Sequence, residues 1–141
     1  MEQSTELPPG PYELSEALVL TAQFVPRGRA ISYGGLAELL GVGGPRQAGR
    51  AMSAAPEGTP WWRIVRADGS LPTSLSRRAA THYRDEGTPV KTSPSGPDGG
   101  DGLRVDLVRA RWEPDEDTLA VVHRLRAEVR TVGPIVSGPA D

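Results

Sequence analysis

Apolar residues recur at helical spacing in the first third of the chain. Over residues 12–24 they return every three or four positions, and Pro26 follows. Proline disfavours a helical conformation in the residue before it, so this helix is predicted to end there. A second apolar stripe spans residues 33–40, with Ser32 before it and Gly41 after it. Serine favours a helix start and glycine a helix end, so the pattern predicts two helices in succession.

A third helix and a short strand are predicted next. Pro45 suits the first turn of a helix over residues 45–54, after a glycine-rich turn. Two short helices joined in this way form a helix-turn-helix pattern. Residues 63–66 favour a strand, Asp68-Gly69 favours a tight turn, and residues 71–76 form a loop or a second strand. Strands beside such a helix pair suggest a wing, so the predicted fold is mainly α with a small β wing, a winged helix-turn-helix domain.

Two helices and a strand are predicted in the second half of the chain. Residues 77–86 favour a helix, and alternation over 103–107 favours a strand. After Pro114, acidic residues precede an apolar stripe and arginines follow it, which suits the dipole of a helix. That stripe could pack on the domain or on a partner; it consists of Leu119, Val122, Leu125 and Val129. The predicted organisation is a flexible arm at 1–10, one domain at 11–112 with a mobile loop at 92–102, and an extra helix with a disordered tail at 113–141.

Composition excludes several kinds of site. The 141 residues suffice for one domain and include no cysteine, so disulfides, thiolate metal sites and a cysteine nucleophile are excluded. The two histidines, His82 and His123, match no metal-ligand spacing, and we expect neither a metal nor a cofactor. The sequence shows no apolar run of membrane-spanning length and no signal-peptide pattern. We therefore expect a cytoplasmic monomer that does not contact membranes.

Charge is distributed unevenly along the chain. The net charge is −2, yet residues 26–84 carry nine arginines against three acidic residues, which gives +6 there and −8 elsewhere. An arginine-rich segment in an acidic protein favours binding of a polyanion, because the guanidinium fork suits phosphates and base edges. On charge alone, a solvated arginine-rich surface is an equally good interpretation.

Trp61 and Trp62 stand out because two of the three tryptophans in the chain are adjacent. Successive side chains of an extended backbone point to opposite faces. On that basis one ring would enter the core while the other faces a pocket or groove. For a tryptophan considered by itself, simple core packing is the better interpretation, because large aromatic side chains are mostly buried.

Several segments occur together in a specific order. They are Val25-Pro26-Arg27-Gly28-Arg29, Ser32-Tyr33-Gly34, Pro45-Arg46-Gln47-Ala48-Gly49-Arg50-Ala51-Met52 and Pro60-Trp61-Trp62-Arg63-Ile64-Val65-Arg66-Ala67-Asp68-Gly69-Ser70. In this order they resemble the C-terminal DNA-binding domain of the O6-alkylguanine-DNA alkyltransferases, over roughly residues 12–112. Those enzymes carry an active-site cysteine followed by a histidine, and Trp61 and Trp62 stand at these two positions. A tryptophan at the cysteine position is the mark of the alkyltransferase-like proteins.

The resemblance implies a DNA damage sensor that is not an enzyme. Alkyltransferase-like proteins bind O6-alkylguanine in double-stranded DNA without repairing it and hand the lesion to nucleotide excision repair proteins. The composition agrees, because dealkylation requires a strong, soft nucleophile such as a thiolate and an indole is not one. The implied location is the cytoplasm, in association with the nucleoid when the protein is bound to DNA.

The resemblance also implies a role for individual residues in flipping the damaged base out of the duplex. Arg46 corresponds to the arginine finger that fills the gap in the base stack, and Tyr33 to the tyrosine that pushes on the phosphate of the target nucleotide. The residues implied to line the lesion pocket are Tyr33, Pro60, Trp61, Arg63 and Val65. A structural salt bridge is an equally good interpretation of Arg63. The implied DNA-binding residues are Arg27, Arg29, Ser32, Tyr33, Gln47, Ala48, Gly49 and Arg50.

Two other classes of function remain open on the sequence. The first is a DNA-processing enzyme such as a glycosylase, but Glu38 and Asp68, acidic residues near these motifs, have no acidic partner at a spacing typical of a catalytic pair. The second is a winged-helix transcription regulator that reads undamaged sequence. The second helix of the helix-turn-helix pattern is poor in asparagine, glutamine and lysine, which argues against that reading.

Overall fold

The computed structural model describes residues 7–92 and 103–130, and helices dominate this part of the chain. The helices are α1 (Leu14–Ala22), α2 (Tyr33–Leu40), α3 (Pro45–Ser53), α4 (Thr73–Glu86), α5 (Leu107–Ala110) and α6 (Glu116–Ala127). The strands are β1 (Ile31–Ser32), β2 (Ile64–Val65), β3 (Val90–Thr92) and β4 (Leu103–Val105). The predicted fold class is thereby confirmed. The predictions for the arm before residue 7, for residues 93–102 and for the tail after residue 130 lie outside the described residues.

The helix-turn-helix unit has the predicted start and turn. The hydroxyl oxygen of Ser32 accepts a hydrogen bond from the Gly35 N–H at 2.9 Å, so Ser32 is the N-cap of α2. Gly41 ends α2 in a left-handed conformation with a φ of +92°, which glycine adopts without steric cost. Pro45 opens α3, and the side-chain oxygen of Gln47 accepts the Gly44 N–H at 2.9 Å. These caps fix where α2 stops and α3 begins.

The strand predicted at residues 63–66 is shorter than expected and pairs differently. Only Ile64–Val65 is extended, and it pairs in parallel with Ile31–Ser32. The tight turn is confirmed, since the Gly69 N–H donates to the Arg66 carbonyl at 2.8 Å. Residues 71–76 form no second strand, because Pro72 has no N–H to donate to a ladder and α4 begins directly after it. The antiparallel pair of the fold is β3 with β4.

The core consists of two clusters of buried side chains. The first lies among α1, α2, α3 and α6 and includes Leu18, Leu36, Leu40, Ile64 and Leu125. The second lies among β2, α4, β4 and α5 and includes Val65, Leu71, Ala79, Tyr83 and Val105. Tyr33 and Trp61 are packed against both clusters. These two aromatic residues therefore lie at the seam of the molecule.

Helix α6 packs on the domain, which decides between the two alternatives for its apolar stripe. Val122 and Leu125 are each only 1% exposed and belong to the first core cluster, whereas Leu119 is 45% exposed. After the helix, Val129 forms a parallel bridge with Tyr12. No described helix is long and apolar enough to cross a membrane.

Candidate nucleic-acid interface

The tryptophan pair lies in a 3₁₀ turn over Trp61–Arg63. The turn is closed by hydrogen bonds from the Trp61 N–H to the Thr59 carbonyl at 2.8 Å and from the Arg63 N–H to the Pro60 carbonyl at 3.1 Å. The expectation of an extended backbone at these residues is therefore wrong. The two indole rings are perpendicular, with centroids 5.5 Å apart, and both are half-buried. Part of each tryptophan side chain is therefore exposed to solvent.

Trp62 is held by side chains of α4. Its ring stacks on the imidazole of His82, with centroids 3.5 Å apart and planes 8° from parallel. Its indole N–H donates to Glu86 Oε2 at 3.0 Å, and its carbonyl accepts the Tyr83 hydroxyl at 2.7 Å. Burial raises the pKa of Tyr83, so this hydroxyl stays protonated and continues to donate. The contacts of Trp62 thus fix the turn against α4.

Arg63 forms a buried salt bridge. Its guanidinium donates to Glu86 Oε2 at 2.6 Å and to the Val25 carbonyl at 2.8 Å, and the side chains of Arg63 and Glu86 are 13% and 3% exposed. Glu86 also accepts the Gly28 N–H at 3.1 Å. Burial raises the pKa of Glu86, but the hydrogen bonds from Arg63, Gly28 and Trp62 outweigh it, and the net pKa is lowered. The structure therefore favours the salt-bridge interpretation of Arg63 over direct contact with a lesion.

Two residues of α4 lie against Trp61, and neither was predicted from the sequence to line the pocket. The guanidinium carbon of Arg78 lies 5.1 Å from the centroid of the Trp61 ring, within cation–π distance. The His82 ring meets Trp61 edge-on, with centroids 5.8 Å apart. Arg78, His82 and Glu86 are spaced by four residues, so they share one face of α4. That spacing was the signal in the sequence that could have identified them.

Tyr33 begins α2 and lies against α3. A Cβ atom placed on Gly49 would be 3.7 Å from the Tyr33 ring, so a glycine lets the ring approach α3 closely. Burial raises the pKa of Tyr33, and the nearby charge of Arg66 opposes this only in part. The phenol is therefore neutral at pH 7 and can donate a hydrogen bond to an anion near the helix N-terminus.

Three residues of the predicted site have buried side chains. Val65 is completely buried in the second core cluster, and the side chain of Ala48 is completely buried in the first. Pro60 is also buried. Val65 lies in β2, which faces the core on both sides, and Ala48 lies on the inner face of α3. None of the three side chains lines an open surface in this structure.

The outer face of α3 carries the exposed predicted residues. Arg46, Gln47 and Arg50 are exposed, and Gly49 is half-buried. Arg27 and Arg29 are exposed as well, and each donates one hydrogen bond to a backbone carbonyl, of Asp85 and Arg109 respectively, both at 3.2 Å. A guanidinium has five N–H donors, so both arginines keep donors for a further partner.

Eight of the nine arginines in residues 26–84 are exposed, and the exception is Arg63. Because the three acidic residues of this segment are exposed as well, it presents eight positive charges against three negative ones, a net charge of +5, to solvent. Among residues 7–92 and 103–130, no group of three or more histidine, aspartate or glutamate side chains could hold a metal ion. The surface of residues 26–84 is thus basic, which suits a polyanion.

Comparison with known proteins relates this arrangement to DNA-binding domains. The family model described as "6-O-methylguanine DNA methyltransferase, DNA binding domain" matches residues 13–87. A structure of S. pombe Atl1 in complex with damaged DNA containing O6-carboxymethylguanine has a TM-score of 0.61 at 20% identity, covering 71% of this chain and 94% of that one. A structure of S. pombe ATL in complex with DNA has the same TM-score and coverages at 21% identity. No curated protein matches. At these sequence identities, the structural similarity to the two solved structures shows that the fold is shared.

Proposed function

Because the chain belongs to the family of the 6-O-methylguanine DNA methyltransferase DNA-binding domain, we propose that it binds O6-alkylguanine in DNA and does not transfer the alkyl group. One observation carries the proposal. Trp61, which the motif aligns with the cysteine of the active enzymes, lies half-buried at the seam of the two core clusters. An aromatic ring therefore occupies the place of a nucleophile.

The absence of alkyl transfer rests on chemistry. The chain contains no cysteine, so no thiolate is available to attack the alkyl carbon. The indole of Trp61 provides a flat apolar surface that can pack against an alkyl group and stack on a purine. A site with this chemistry retains recognition of the damaged base and loses the reaction.

Base flipping is supported by the placement of Tyr33, Arg46 and Trp61. Tyr33 follows the N-cap of α2 and carries a neutral hydroxyl that can contact a phosphate. Arg46 is exposed in the first turn of α3, where its planar guanidinium can enter a base stack. The damaged base would be held against Trp61, with Arg78 displaced from its present position over that ring or stacked on the other face of the base.

The consequence of binding without reaction is that the lesion stays in the DNA. In the proposed role, a monomer of this protein marks the lesion for nucleotide excision repair proteins, in the cytoplasm and on the nucleoid. The solved relatives bind DNA, one of them DNA with O6-carboxymethylguanine, which supports the choice of substrate class.

A paired binding titration tests the proposal. Two fluorescein-labelled duplexes of identical sequence, with guanine or O6-methylguanine at one position, are titrated with the protein and followed by fluorescence anisotropy. We expect binding to the damaged duplex to be at least about tenfold tighter, a difference of about 1.4 kcal/mol. Equal affinity for the two duplexes would contradict the proposal.

A second readout separates a sensor from an enzyme. After incubation with the damaged duplex, the mass of the protein and the base composition of the DNA are determined by mass spectrometry. We expect both to be unchanged. An increase in protein mass by one methyl group would reveal a transferase, and release of the free damaged base would reveal a glycosylase.

A further inference from the structure

Val108 on α5 marks an exposed apolar surface away from the tryptophan pair. It is 86% exposed, more than any other large hydrophobic residue in the described part of the chain. A groove of about 430 Å³ lies beside it and is lined in part by Ile31, Gly35, Leu107, Arg111 and Trp112. We refer to Val108 and this lining as the α5 groove. Its volume admits one or two side chains of a ligand.

A one-residue parallel bridge between Ala30 and Arg111 borders the α5 groove. The Ala30 N–H donates to the Ala110 carbonyl at 3.0 Å, and the Trp112 N–H donates to the Ala30 carbonyl at 3.3 Å. Residues 110–112 thus extend the β1–β2 pair on its outer side. In this parallel pattern the N–H and C=O of Arg111 point away from Ala30, and within the described part of the chain its N–H makes no hydrogen bond. Such an edge can accept an extended segment of another chain.

The rim of the α5 groove has an excess of positive charge. Arg29, Arg109 and Arg111 are exposed, and Arg29 donates to the Arg109 carbonyl, which keeps these residues together. Glu113 pairs with Arg111 at 3.5 Å, and the carboxylate of Asp106 is engaged in capping α5. Arg29 and Arg109 therefore have no carboxylate partner among the described residues. A ligand complementary to this rim carries negative charge.

We propose that the α5 groove docks an extended segment of a protein partner, in which a large apolar side chain is flanked by acidic residues. The apolar side chain packs against Val108 and Trp112, the acidic residues pair with Arg29 and Arg109, and the backbone pairs with the free edge at Arg111. Burial against an apolar group of the partner stabilises the exposed Val108 side chain, and the N–H and C=O of Arg111 that point away from Ala30 match the backbone of a polypeptide. Arg29, and Ser32 in the lining, are also among the residues implied to bind DNA, whereas Val108 and Arg109 are not, so substitutions of the latter two separate docking from DNA binding.

The test uses a phage-displayed library of random twelve-residue peptides selected on the full chain, with an excess of a 15-base-pair undamaged DNA duplex present. Peptides that are enriched are synthesised with a fluorescent label, and their affinities are measured by anisotropy. The same measurement is made with Val108→Lys and Arg109→Glu. Leu119→Lys is the matched control, because Leu119 is also an exposed apolar residue, on α6. Thermal melting confirms that each variant is folded.

We expect enriched peptides that combine aspartate or glutamate with isoleucine, leucine or phenylalanine. Val108→Lys and Arg109→Glu should each weaken their binding at least about tenfold, and Leu119→Lys should leave it within about twofold. Failure to enrich such peptides, or binding that is insensitive to Val108→Lys, overturns the proposal. It is also overturned if Val108→Lys and Arg109→Glu weaken binding of the DNA duplex as much as that of the peptides, since the surface would then belong to the DNA interface.

Discussion

At the scale of single residues, the two adjacent tryptophans have different surroundings. Trp62 is stacked on His82 and hydrogen-bonded to Glu86, so its ring is committed to the fold. Trp61 meets Trp62 and His82 only edge-on, and the guanidinium over it belongs to the exposed residue Arg78. A long arginine side chain can move aside at little cost, because it is solvated in either position. These contacts support the proposal that Trp61, rather than Trp62, is the ring on which the damaged base stacks.

Replacing Trp61 with alanine tests this distinction. Stacking on an aromatic side chain contributes about 1–3 kcal/mol per base. We therefore expect Trp61→Ala to reduce the preference for O6-methylguanine over guanine duplex to nearly one, while affinity for undamaged duplex changes by less than about threefold. The paired anisotropy titrations measure both quantities. Trp61→Phe is the control, because it keeps an aromatic ring at the seam and should retain part of the preference. A full preference in Trp61→Ala would show that the lesion is read elsewhere.

Arg46 allows a second test at this scale. If its guanidinium fills the gap left by a flipped base, Arg46→Ala should weaken binding of the damaged duplex about tenfold or more, because the open base stack then has no substitute. Arg124→Ala is the matched control, since Arg124 is an exposed arginine on α6 and its loss removes the same charge. Identical effects of the two substitutions on affinity would show that Arg46 contributes only general electrostatic attraction to DNA.

The sequence predicted residues well where one local rule decides their role. Ser32 and Gly41 follow from capping preferences, and both occupy the expected positions. Val65 and Ala48 were predicted to belong to the interface, but the side chains of both are buried. In α3 the apolar residues Ala48, Ala51 and Met52 recur at helical spacing, and this spacing already indicated the inner face, whereas the two-residue strand at Val65 is too short to show a periodicity. Whether the side chains of β2 are buried depends on the packing of that strand against the other elements.

At the scale of elements, α4 supports the tryptophan turn. One face of this helix presents Arg78, His82 and Glu86 to the turn. The hydroxyl of Tyr83, the residue after His82, donates a hydrogen bond to the backbone carbonyl of Trp62 in the turn. The carboxylate of Glu86 also accepts the N–H of Gly28, in the basic turn after α1. One side chain thereby joins the end of α4, the tryptophan turn and the basic turn. Loss of its charge should affect all three.

The pH dependence of stability tests this role of Glu86. Its pKa is lowered in the folded protein, so its ionised form stabilises the fold above the unfolded pKa of about 4.3, and this contribution disappears as the pH falls through the folded pKa. We expect Glu86→Gln to lower the free energy of unfolding by about 3 kcal/mol at pH 7. The difference from wild type should shrink as the pH falls below about 4.3.

Urea unfolding of both proteins at several pH values measures this difference. Glu38→Gln, at an exposed position on α2, is the control and should change stability by less than about 0.5 kcal/mol. A pH-independent difference between Glu86→Gln and wild type would mean that the charge of Glu86 contributes nothing to stability.

Helix α4 was predicted from the sequence to begin at residue 77, but it begins at Thr73. The parallel pairing of β1 with β2 was not predicted, because it joins residues more than thirty positions apart and no local pattern encodes such a contact.

At the scale of the whole molecule, the arginine-rich segment 26–84 presents an excess of positive charge to solvent. Its exposed arginines include Arg46 and Arg50 on the outer face of α3. An exposed excess of positive charge attracts a polyanion at long range. This contribution should be the same for damaged and undamaged DNA.

The dependence of affinity on salt separates the electrostatic contribution from lesion recognition. If about five arginines contact phosphates, the logarithm of the association constant should fall with the logarithm of salt concentration with a slope of about −4.5 for both duplexes. The preference for O6-methylguanine should stay constant, because stacking on Trp61 releases no counterions. Anisotropy titrations from about 50 to 200 mM sodium chloride measure both slopes. A preference that fell in parallel with affinity would show that arginines, rather than the aromatic ring, distinguish the lesion.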